Sequence, residues 1–554
     1  MKFAPLGDAA VIVSLDGGLD DAALAAVTNL AESIREACWP GVIDVVPAYG
    51  SVAVFYDPYR TGGEDGSPYE WLREAIIERV RLAGNAQTTE SMLEARIVEL
   101  PVHYGGADGP DLEAVAAHTG LAKEDVIVRH AGAGYRVQAI GFAPGFPYLS
   151  GLPAELATPR RPTPRTHVAA GSVGIGGAQT GVYPLASPGG WQLIGQTDAQ
   201  LFDARRPEPS LLRVGDRVKF IAATGARAIS DGPGRISPVS DSAEGARGPG
   251  LWILSPGMLT TVQDLGREGQ RAAGVPSGGA LDALALRLAN LLVGNPEDAA
   301  GLEFTLIGPE IEFQHDGLIA LGGADFTGCA AWRPLRVATG QRIKFGPAVK
   351  GCRGYLAVAG GLDVPPVLGS RSTYARAQLG GWQGRALQAG DVVPCFAVRR
   401  QADEHWWLDP RILPDYGASA VRVLAGAQAD EFPESTWDEE WKVTSQADRM
   451  GMRLAGPKIL RKIGTELVSA PVAPGTVQLP PDGQPIVLLA EAQTIGGYPR
   501  LAHVINVDQP RLAQLRAGDL LRFERVSIGD AHQLWLAREH SLALLREGLA
   551  GKIR

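Results

Sequence analysis

The sequence predicts a mainly β protein that begins with a small α+β domain, and three observations support this class. Gly and Pro contribute 70 and 40 of the 554 residues, a frequency typical of turn-rich β architectures rather than helical bundles. The first 95 residues alternate between strand-like and helix-like segments. A pair of motifs also repeats across the chain. At ~150 residues per domain, the length suggests about three to four domains.

The amino-terminal segments follow in the order strand, helix, strand, strand, helix, strand. Residues 11–13 are predicted as a strand, 20–37 as an amphipathic helix with an Asp near its start, and 42–56 as two strands joined by a turn. Residues 69–82 form the second predicted helix and 95–102 the closing strand. This order is typical of a small α+β sandwich.

Beyond residue 135 the pattern changes to short apolar stretches interrupted by Gly or Pro, which indicates a barrel or sandwich. Helices are predicted over 280–293 and 531–547. The predicted organisation is therefore a small α/β domain over 1–95, a β-barrel over 96–221, a Gly-, Ala-, Ser- and Pro-rich linker over 222–250, a second barrel unit over 251–530, and a carboxy-terminal helix over 531–554.

Two motif pairs suggest that the barrel is duplicated. Residues 169–175 (AAGSVGI) match 473–479 (APGTVQL), and residues 213–220 (RVGDRVKF) match 516–523 (RAGDLLRF). Both pairs are separated by nearly the same number of residues. The Gly-Asp pair alone could simply be a turn that leads into a strand. Two matches at one spacing, however, indicate duplicated β-barrel units.

Charge and composition exclude several classes of function. The formal net charge is −9, which argues against a nucleic-acid partner because binding to phosphate backbones needs clustered cations. No apolar run approaches the ~18 residues that span a bilayer, and the start of the chain lacks a basic and apolar leader. We therefore expect a cytoplasmic protein without a membrane partner. The four scattered cysteines predict neither a zinc site nor a disulfide framework.

The first unit contains the densest Gly- and Pro-rich segments, 141–149 and 176–191, which let a ligand approach the main chain. Arg160 and Arg165 lie in loops among them, where a guanidinium could clamp a carboxylate or phosphate. Gln179 and Tyr183 could add neutral hydrogen bonds. The alternative is that these loops are only tight turns with surface arginines.

The second unit offers a comparable set of polar residues. The segments 261–267, 274–282 and 369–373 place acids, hydroxyls and cations near a predicted helix start, where an anion can bind; an acid there is also favoured by the helix dipole alone. The segment 493–499 (QTIGGYP) echoes 179–184 (QTGVYP) in type. This suggests one polar site per half, or a joint site. The candidates are Asp264, Arg267, Asp282, Ser370, Arg371, Gln493 and Tyr498.

These strings resemble a known family. Residues 3–220 are similar to the 5-oxoprolinase B subunit, also described as allophanate hydrolase subunit 1 or the KipI family. Residues 251–525 are similar to the C subunit, the allophanate hydrolase subunit 2 or KipA family. The resemblance implies a fusion of the two, with a cyclophilin-like β-barrel in each half and a small α/β domain in front of the first. Ala455 and Ala492 depart from the Glu and Arg that are usual in the family.

Family resemblance implies ATP-dependent opening of 5-oxo-L-proline to L-glutamate, with ATP and Mg²⁺ and with a separate 5-oxoprolinase A subunit of the LamB/YcsF type. One alternative is the carboxyltransferase component of a biotin-dependent urea-type carboxylase. Another is a KipI-like inhibitor of a sensor histidine kinase. The chain has no Met-Lys-Met biotinylation motif, so it cannot carry out carboxylation alone, and the 5-oxoprolinase interpretation is favoured.

Activation of a lactam carbonyl by phosphorylation requires cations at the phosphates and donors at developing negative charge. The expected catalytic residues are Gln179, Tyr183, Asp264, Arg371, Gln493 and Tyr498. The expected substrate- and phosphate-binding residues are Arg160, Arg165, Arg267, Asp282 and Ser370. Asp264 or Asp282 is expected to hold Mg²⁺ or to accept a proton.

Overall fold

The structure is a computed structural model. It describes residues 1–15, 20–62, 67–85, 96–223, 250–397, 406–418, 420–464 and 467–552. Most of the predicted linker, residues 224–249, lies outside the described residues.

The small domain is a four-stranded antiparallel sheet with two helices. Its elements are β1 (Lys2–Pro5), β2 (Ala10–Ser14), α1 (Asp21–Glu36), β3 (Val42–Ala48), β4 (Ser51–Tyr56) and α2 (Pro68–Asn85), with strand order β1-β2-β4-β3. Helix α1 begins as predicted, because the Asp20 side chain accepts the Ala23 N–H at 2.8 Å. The predicted closing strand is not part of this sheet, and β1 takes the fourth place instead.

A closed seven-stranded barrel follows, called the first barrel here. Its region contains β5 (Ile97–Tyr104), α3 (Leu112–Thr119), α4 (Lys123–Gly132), β6 (Tyr135–Ile140), β7 (Pro147–Ser150), β8 (Arg165–Val168), β9 (Ser172–Gly176), β10 (Gln179–Val182), β11 (Ser187–Gly189), β12 (Gln192–Gln196) and β13 (Arg217–Ala222). The barrel order is β10-β7-β6-β13-β5-β12-β9, while β8 and β11 form a separate two-stranded arm. Strand β5 corresponds to the strand predicted at 95–102 and closes this barrel by pairing in parallel with β13.

Two layered sheets form the first part of the second half. The elements are β14 (Gly250–Ser255), β15 (Thr260–Gln263), α5 (Ala283–Leu292), β16 (Gly301–Thr305), β17 (Glu310–Phe313), β18 (Gly317–Phe326), β19 (Pro334–Val337), β20 (Arg342–Lys344), β21 (Ala348–Val358) and β22 (Val392–Pro394). The sheet orders are β20-β17-β14-β22 and β15-β16-β21-β18-β19. Leu251 and Phe313 of one sheet share a single core with Phe304 and Leu356 of the other, so the sheets pack face to face.

A second closed seven-stranded barrel completes the second half. Its region contains β23 (Ala420–Ala425), β24 (Glu440–Ala447), β25 (Gly451–Ala455), β26 (Ala470–Pro471), β27 (Thr476–Gln478), β28 (Ile486–Leu488), β29 (Ile495–Gly496), β30 (Arg500–Val504), α6 (Gln509–Gln514) and β31 (Leu520–Arg525). The barrel order is β23-β30-β27-β28-β25-β24-β31, and β26 pairs with β29 as an arm. The unit predicted over 251–530 thus contains two layered sheets ahead of its barrel.

The two barrels have the same topology. Read from β28, the second barrel runs β28-β25-β24-β31-β23-β30-β27, which reproduces the first barrel strand for strand. Each barrel closes through one parallel pair, β5 with β13 and β23 with β31. The repeated motifs fall on equivalent strands, β9 with β27 and β13 with β31. The predicted pair of barrel units is therefore confirmed.

Helix α7 (Ile528–Ala550) ends the described chain and begins with a capping box of Ser527 and Asp530. It packs against α5 through Leu542 and Leu549. Near its start, His532 lies 3.3 Å from the Tyr56 hydroxyl of the small domain. Among the described residues, no helix combines the length and apolar character needed to cross a membrane.

Candidate functional site

A cleft of about 1770 Å³ lies where the small domain, the loop before α5, the second barrel and α7 meet. We call it the central cleft. Among the described residues, the first barrel contributes none of its lining. The lining includes Asp8, Phe55, Arg267, Leu284, Asn506 and Trp535. Its volume exceeds the ~300–1,000 Å³ typical of small-molecule pockets, so it can hold more than one small ligand.

Arg267 lies in the wall of this cleft and has one guanidinium N–H without a partner in the described chain. Its Nε donates to the Val367 carbonyl at 3.2 Å, and Nη2 donates to the Ser372 carbonyl. Nη1 has no hydrogen-bond partner within the described part of the chain, although the residue is only 1% exposed. Burial lowers the pKa of Arg267, but a guanidinium stays charged at neutral pH. The side chain is thus held in place with one donor left for an anion.

Two glycines let the loops beside this guanidinium pack closely. Gly266 and Gly278 have φ values of +103° and +61°, which side-chain-bearing residues rarely adopt. A Cβ at Gly266 would lie 2.6 Å from the Ser277 carbonyl oxygen, and a Cβ at Gly278 would lie 3.6 Å from Nη1 of Arg267. The absence of side chains at both positions lets the two loops approach each other beside Arg267.

Asp264 holds the loop that positions Arg267. Its carboxylate accepts the Ser370 hydroxyl at 2.6 Å, the Gly266 N–H at 2.9 Å, the Ser372 hydroxyl and the Arg371 N–H. Four donors occupy this carboxylate, and the Ser370 hydroxyl is used in the same network. The geometry therefore favours an anchoring role for Asp264 and Ser370 over direct binding of a metal or phosphate.

Of the two further candidates near this loop, the Arg371 side chain lies over an aromatic ring and Asp282 caps a helix. The guanidinium of Arg371 lies 5.5 Å from the centre of the Phe396 ring, which lines the central cleft. Asp282 caps α5, where its carboxylate accepts from Ala285 N–H at 2.9 Å, Tyr416 at 2.6 Å and Gln514 at 3.0 Å. Burial raises the pKa of Asp282 to about 6. Among the described residues, no three His, Cys, Asp or Glu side chains are placed to share a metal ion.

The candidates of the first half gather away from the central cleft. Gln179 donates to the Tyr49 hydroxyl at 2.8 Å, and Tyr183 is buried among the rings of Phe146 and Trp191. The guanidinium of Arg160 lies 5.8 Å from the centre of the Trp191 ring. These side chains form an aromatic cluster with one cation at its edge.

Arg165 makes an ion pair within the first barrel region. Its Nη2 donates to the Asp111 carboxylate at 2.7 Å, and Arg161 reaches the same oxygen at 3.2 Å. Asp111 is buried and also accepts the Leu193 N–H at 2.7 Å. This ion pair ties the start of β8 to the start of α3.

Gln493 and Tyr498 line a separate groove of about 490 Å³ on the second barrel. The structure thus brings these two together but places neither in the central cleft. The similarity in type between 493–499 and 179–184 is not a structural correspondence. Gly174 of β9 and Gln478 of β27 are equivalent in the repeated motif, and strand pairing places Leu193 opposite the first and Arg500 opposite the second. Trp191 and Tyr498 each lie two residues before these partners. Tyr498 therefore corresponds to Trp191 and not to Tyr183.

Other residues of the cleft wall gave no signal in the sequence. Arg271 places its guanidinium 4.5 Å from the centre of the Phe55 ring, and its N–H donates to Asp44 at 2.7 Å. Asn506 donates its side-chain N–H to Asp8 at 2.6 Å. These contacts join positions that are hundreds of residues apart, and no local motif marks them.

Two family models match the chain, one on each side of the predicted linker. The family model described as carboxyltransferase domain, subdomain C and D, matches residues 1–212, and the model for subdomain A and B matches residues 273–525. The 5-oxoprolinase C subunit of Escherichia coli is 43% identical over 51% of this chain and 93% of its own length. The 5-oxoprolinase B subunit of Bacillus subtilis is 44% identical over 40% of this chain and 92% of its own length.

The chain belongs to the carboxyltransferase-domain family of the 5-oxoprolinase B and C subunits. The crystal structure of TTHA0988 aligns with a TM-score of 0.81 and 37% identity, covering 93% of this chain and 99% of that one. A more distant relative, the urea amidolyase of Lachancea kluyveri, is 34% identical over 53% of this chain but only 18% of its own length. In this family member the B-like half contributes its small domain to the central cleft, and the C-like half contributes Arg267.

The cleft wall of this fused B/C chain predicts a pH dependence. Burial raises the pKa of Asp8 from its ordinary 3.8 to about 6, although bonds from Asn506 oppose the shift. The folded chain therefore holds this proton more tightly than the unfolded chain. Ionised Asp8 costs stability above pH 6, and acidification from pH 6 towards 4 removes that cost by up to about 1.4 kcal/mol per pH unit.

We expect urea unfolding to show this difference between wild type and Asp8→Asn, in which the group at position 8 does not titrate. The variant retains Asp282, Arg538 and His532, so their contributions to the pH dependence of stability cancel when the two proteins are compared. Wild type should gain stability relative to Asp8→Asn when the pH falls from 7 to 5. An unchanged difference between the two proteins at these pH values would show that Asp8 does not titrate in this range.

Proposed function

We propose that this chain is the fused B and C component of an ATP-dependent 5-oxoprolinase, which opens 5-oxo-L-proline to L-glutamate with a separate A subunit of the LamB/YcsF type in the cytoplasm. The observation that carries the proposal is that one polypeptide matches both the B and the C subunits, each over more than nine-tenths of the relative's length. Both halves also line one cleft, so fusion keeps the two parts of a joint site together.

The wall of the central cleft around Arg267 is where we propose that a phosphate group binds. Arg267 has an unpartnered guanidinium N–H, and Gly266 and Gly278 line the cleft wall beside it. Bound ATP would supply the phosphoryl group that converts the stable lactam oxygen into a leaving group. Arg267 would hold the phosphate charge, and its two bonds to carbonyl groups would keep it oriented without reorganisation. Asp264 would position Arg267 through Ser372. The Asp264 main-chain N–H donates to the Ser372 hydroxyl, and Arg267 donates to the Ser372 carbonyl.

Neither Asp264 nor Asp282 fits a Mg²⁺ site as it stands. Donors of the chain occupy both carboxylates, and a Mg²⁺ ligand needs an open oxygen at about 2.1 Å. We therefore assign Mg²⁺ no ligand from these two residues. The aromatic cluster with Arg160, Gln179 and Tyr183 lies on the B-like half, where we propose that it contacts the LamB/YcsF-type partner or substrate.

The test is a reconstitution with purified components. The full chain, a candidate LamB/YcsF-type partner, ATP and 5-oxo-L-proline should release L-glutamate and ADP in equal amounts, and omission of any component should stop both. Glutamate formation without ATP, or without this chain, would contradict the proposal.

A carboxyltransferase function is the second candidate, because both matching models describe carboxyltransferase subdomains and urea amidolyase is a relative. In that case the chain would work with a biotin carboxylase and a biotin carrier. Urea-dependent consumption of carboxybiotin by the chain, with no glutamate release in the reconstitution, would favour this candidate.

A further inference from the structure

The first barrel region contains a long stretch without acidic residues. Residues 156–197 include Arg160, Arg161, Arg165 and His167 but no Asp or Glu, although about four or five acids would be expected at the frequency of the whole chain. The stretch contains β8 and β11, which form the two-stranded arm of this region. In a chain with a formal net charge of −9, this arm is a candidate cationic surface.

The surroundings of the three arginines leave positive charge on the arm. Arg161 and Arg165 share one carboxylate, that of Asp111, at 3.2 and 2.7 Å. Asp111 is only 5% exposed and lies beneath them, whereas the side chains of Arg161 and Arg165 are 38% and 23% exposed. Arg160 is exposed as well. Positive charge therefore faces solvent while the shared negative charge is buried.

An aromatic ring holds Arg160 in place. Its guanidinium lies 5.8 Å from the centre of the Trp191 ring, and Trp191 is buried. The ring thus supports the cation from the protein side. An aromatic face attracts the charge without occupying all five N–H donors of a guanidinium. Arg160 therefore keeps donors for a carboxylate that approaches from outside.

The backbone of the arm is fixed before any partner binds. The Arg161 N–H donates to the Gly190 carbonyl at 2.7 Å, and the Gln192 side chain donates to the Pro159 carbonyl at 3.0 Å. Proline restricts φ to a narrow range, and four exposed prolines lie on the arm and on the loop before it, Pro159, Pro162, Pro164 and Pro188. A surface restrained in this way loses little conformational entropy when it docks.

We propose that the β8–β11 arm, together with the loop before it, is the docking surface for an acidic segment of the LamB/YcsF-type partner. The inference rests on the proposed function, and it assigns this face of the B-like half to the partner rather than to the substrate. Carboxylates of the partner pair with Arg160 and with the exposed parts of Arg161 and Arg165. Among the described residues, the first barrel contributes nothing to the lining of the central cleft, so the arm can hold the partner while the cleft holds a ligand.

The test is the association rate constant of the full chain with the purified partner, measured without ATP or 5-oxo-L-proline. Arg160→Glu/Arg161→Gln should lower this rate constant by about tenfold or more, because complementary charge mainly accelerates encounter. The rate constant of wild type should fall when NaCl rises from about 50 to about 300 mM, and that of the variant should change less. No association of wild type, or equal rate constants for wild type and this variant, overturns the proposal.

Two further variants control for folding and for net charge. Arg217→Glu/Lys219→Gln makes the same change in net charge at two exposed residues of β13, and it should associate as wild type does. Arg160→Glu alone leaves both arginines that pair with Asp111, so it should keep the melting temperature of wild type and still associate more slowly. An equal loss of association in Arg217→Glu/Lys219→Gln would show that net charge, and not the arm, governs binding.

Turnover in the reconstituted complex separates docking from a contact with substrate. Arg160→Glu should raise the partner concentration that gives half-maximal glutamate release, and saturating partner should restore most of the wild-type rate. A lower maximal rate with an unchanged partner requirement would place Arg160 at the substrate and overturn the docking surface. If wild type binds the partner through the arm but releases no glutamate, the proposed function fails while the docking surface stands.

Discussion

Replacing Arg267 with Met is expected to lower ATP-coupled glutamate formation by about 10²–10³-fold, the usual effect of losing one donor that stabilises developing charge. Its unpartnered Nη1 is a buried donor in the wall of the central cleft, where we propose that phosphate binds. Turnover should be measured in the complex reconstituted with the LamB/YcsF-type partner. Arg411→Met, at an exposed arginine, is the control and should leave turnover unchanged.

Loss of Arg267 also leaves the Val367 and Ser372 carbonyls without their donor, which costs about 1–3 kcal/mol of stability. Gly278→Asp avoids this complication. Asp tolerates the positive φ at this position, and a Cβ there lies 3.6 Å from Nη1, so the new carboxylate would pair with Arg267 and compete with phosphate. We expect turnover to fall sharply while the chain remains folded, with a lower melting temperature because a side chain at this positive φ is strained. Full turnover in Gly278→Asp would contradict the role of Arg267.

Arg449→Met is expected to lower the free energy of unfolding by about 3–5 kcal/mol, because removal of one partner leaves buried charges uncompensated. Arg449 is buried between Glu303 of β16 and Glu491 after β28, and also donates to the Gly279 carbonyl at 2.5 Å. Burial alone would lower the pKa of Arg449, but the two carboxylates raise it. Chemical denaturation of the full chain measures the loss.

Two variants check this explanation. Arg449→Met combined with Glu303→Gln and Glu491→Gln removes all three charges and should recover most of the stability. Arg453→Met, at an exposed arginine of the same barrel 3.8 Å from Asp482, should change stability by less than about 1 kcal/mol. If the triple variant is no more stable than Arg449→Met, lost packing rather than uncompensated charge accounts for the effect.

Much of the fold was predictable because its signals are local or repeated. The Asp20 cap marks the start of α1, and the turn at Ala48–Gly50 separates β3 from β4. The motif pairs fall on equivalent strands of two identical barrel topologies. The layered sheets of the second half were not separated from its barrel, since alternating apolar residues have the same pattern in a sandwich and in a barrel.

The candidate site was predicted less completely. The sequence identified Arg267 among four arginines of similar appearance, but it could not rank them. Arg165 is paired with Asp111, and Arg160 and Arg371 lie over aromatic rings. Arg165 and Arg371 each also have one N–H without a partner in the described chain, but of the four arginines only Arg267 lines the central cleft. Asp264 was expected to bind a ligand, yet four donors of the chain fill its carboxylate.

By itself the sequence determined the class of fold, the duplication of the barrel and the family, since composition, local turns and repeated motifs are properties of short segments. Only the tertiary structure decided which polar groups are satisfied by the chain and which remain open. Hydrogen-bond occupancy depends on partners distant in sequence, as for Arg267 with Ser372 and Asp8 with Asn506. The same long-range pairing placed Trp191 and Tyr498 at equivalent positions, with Trp191 buried and Tyr498 exposed.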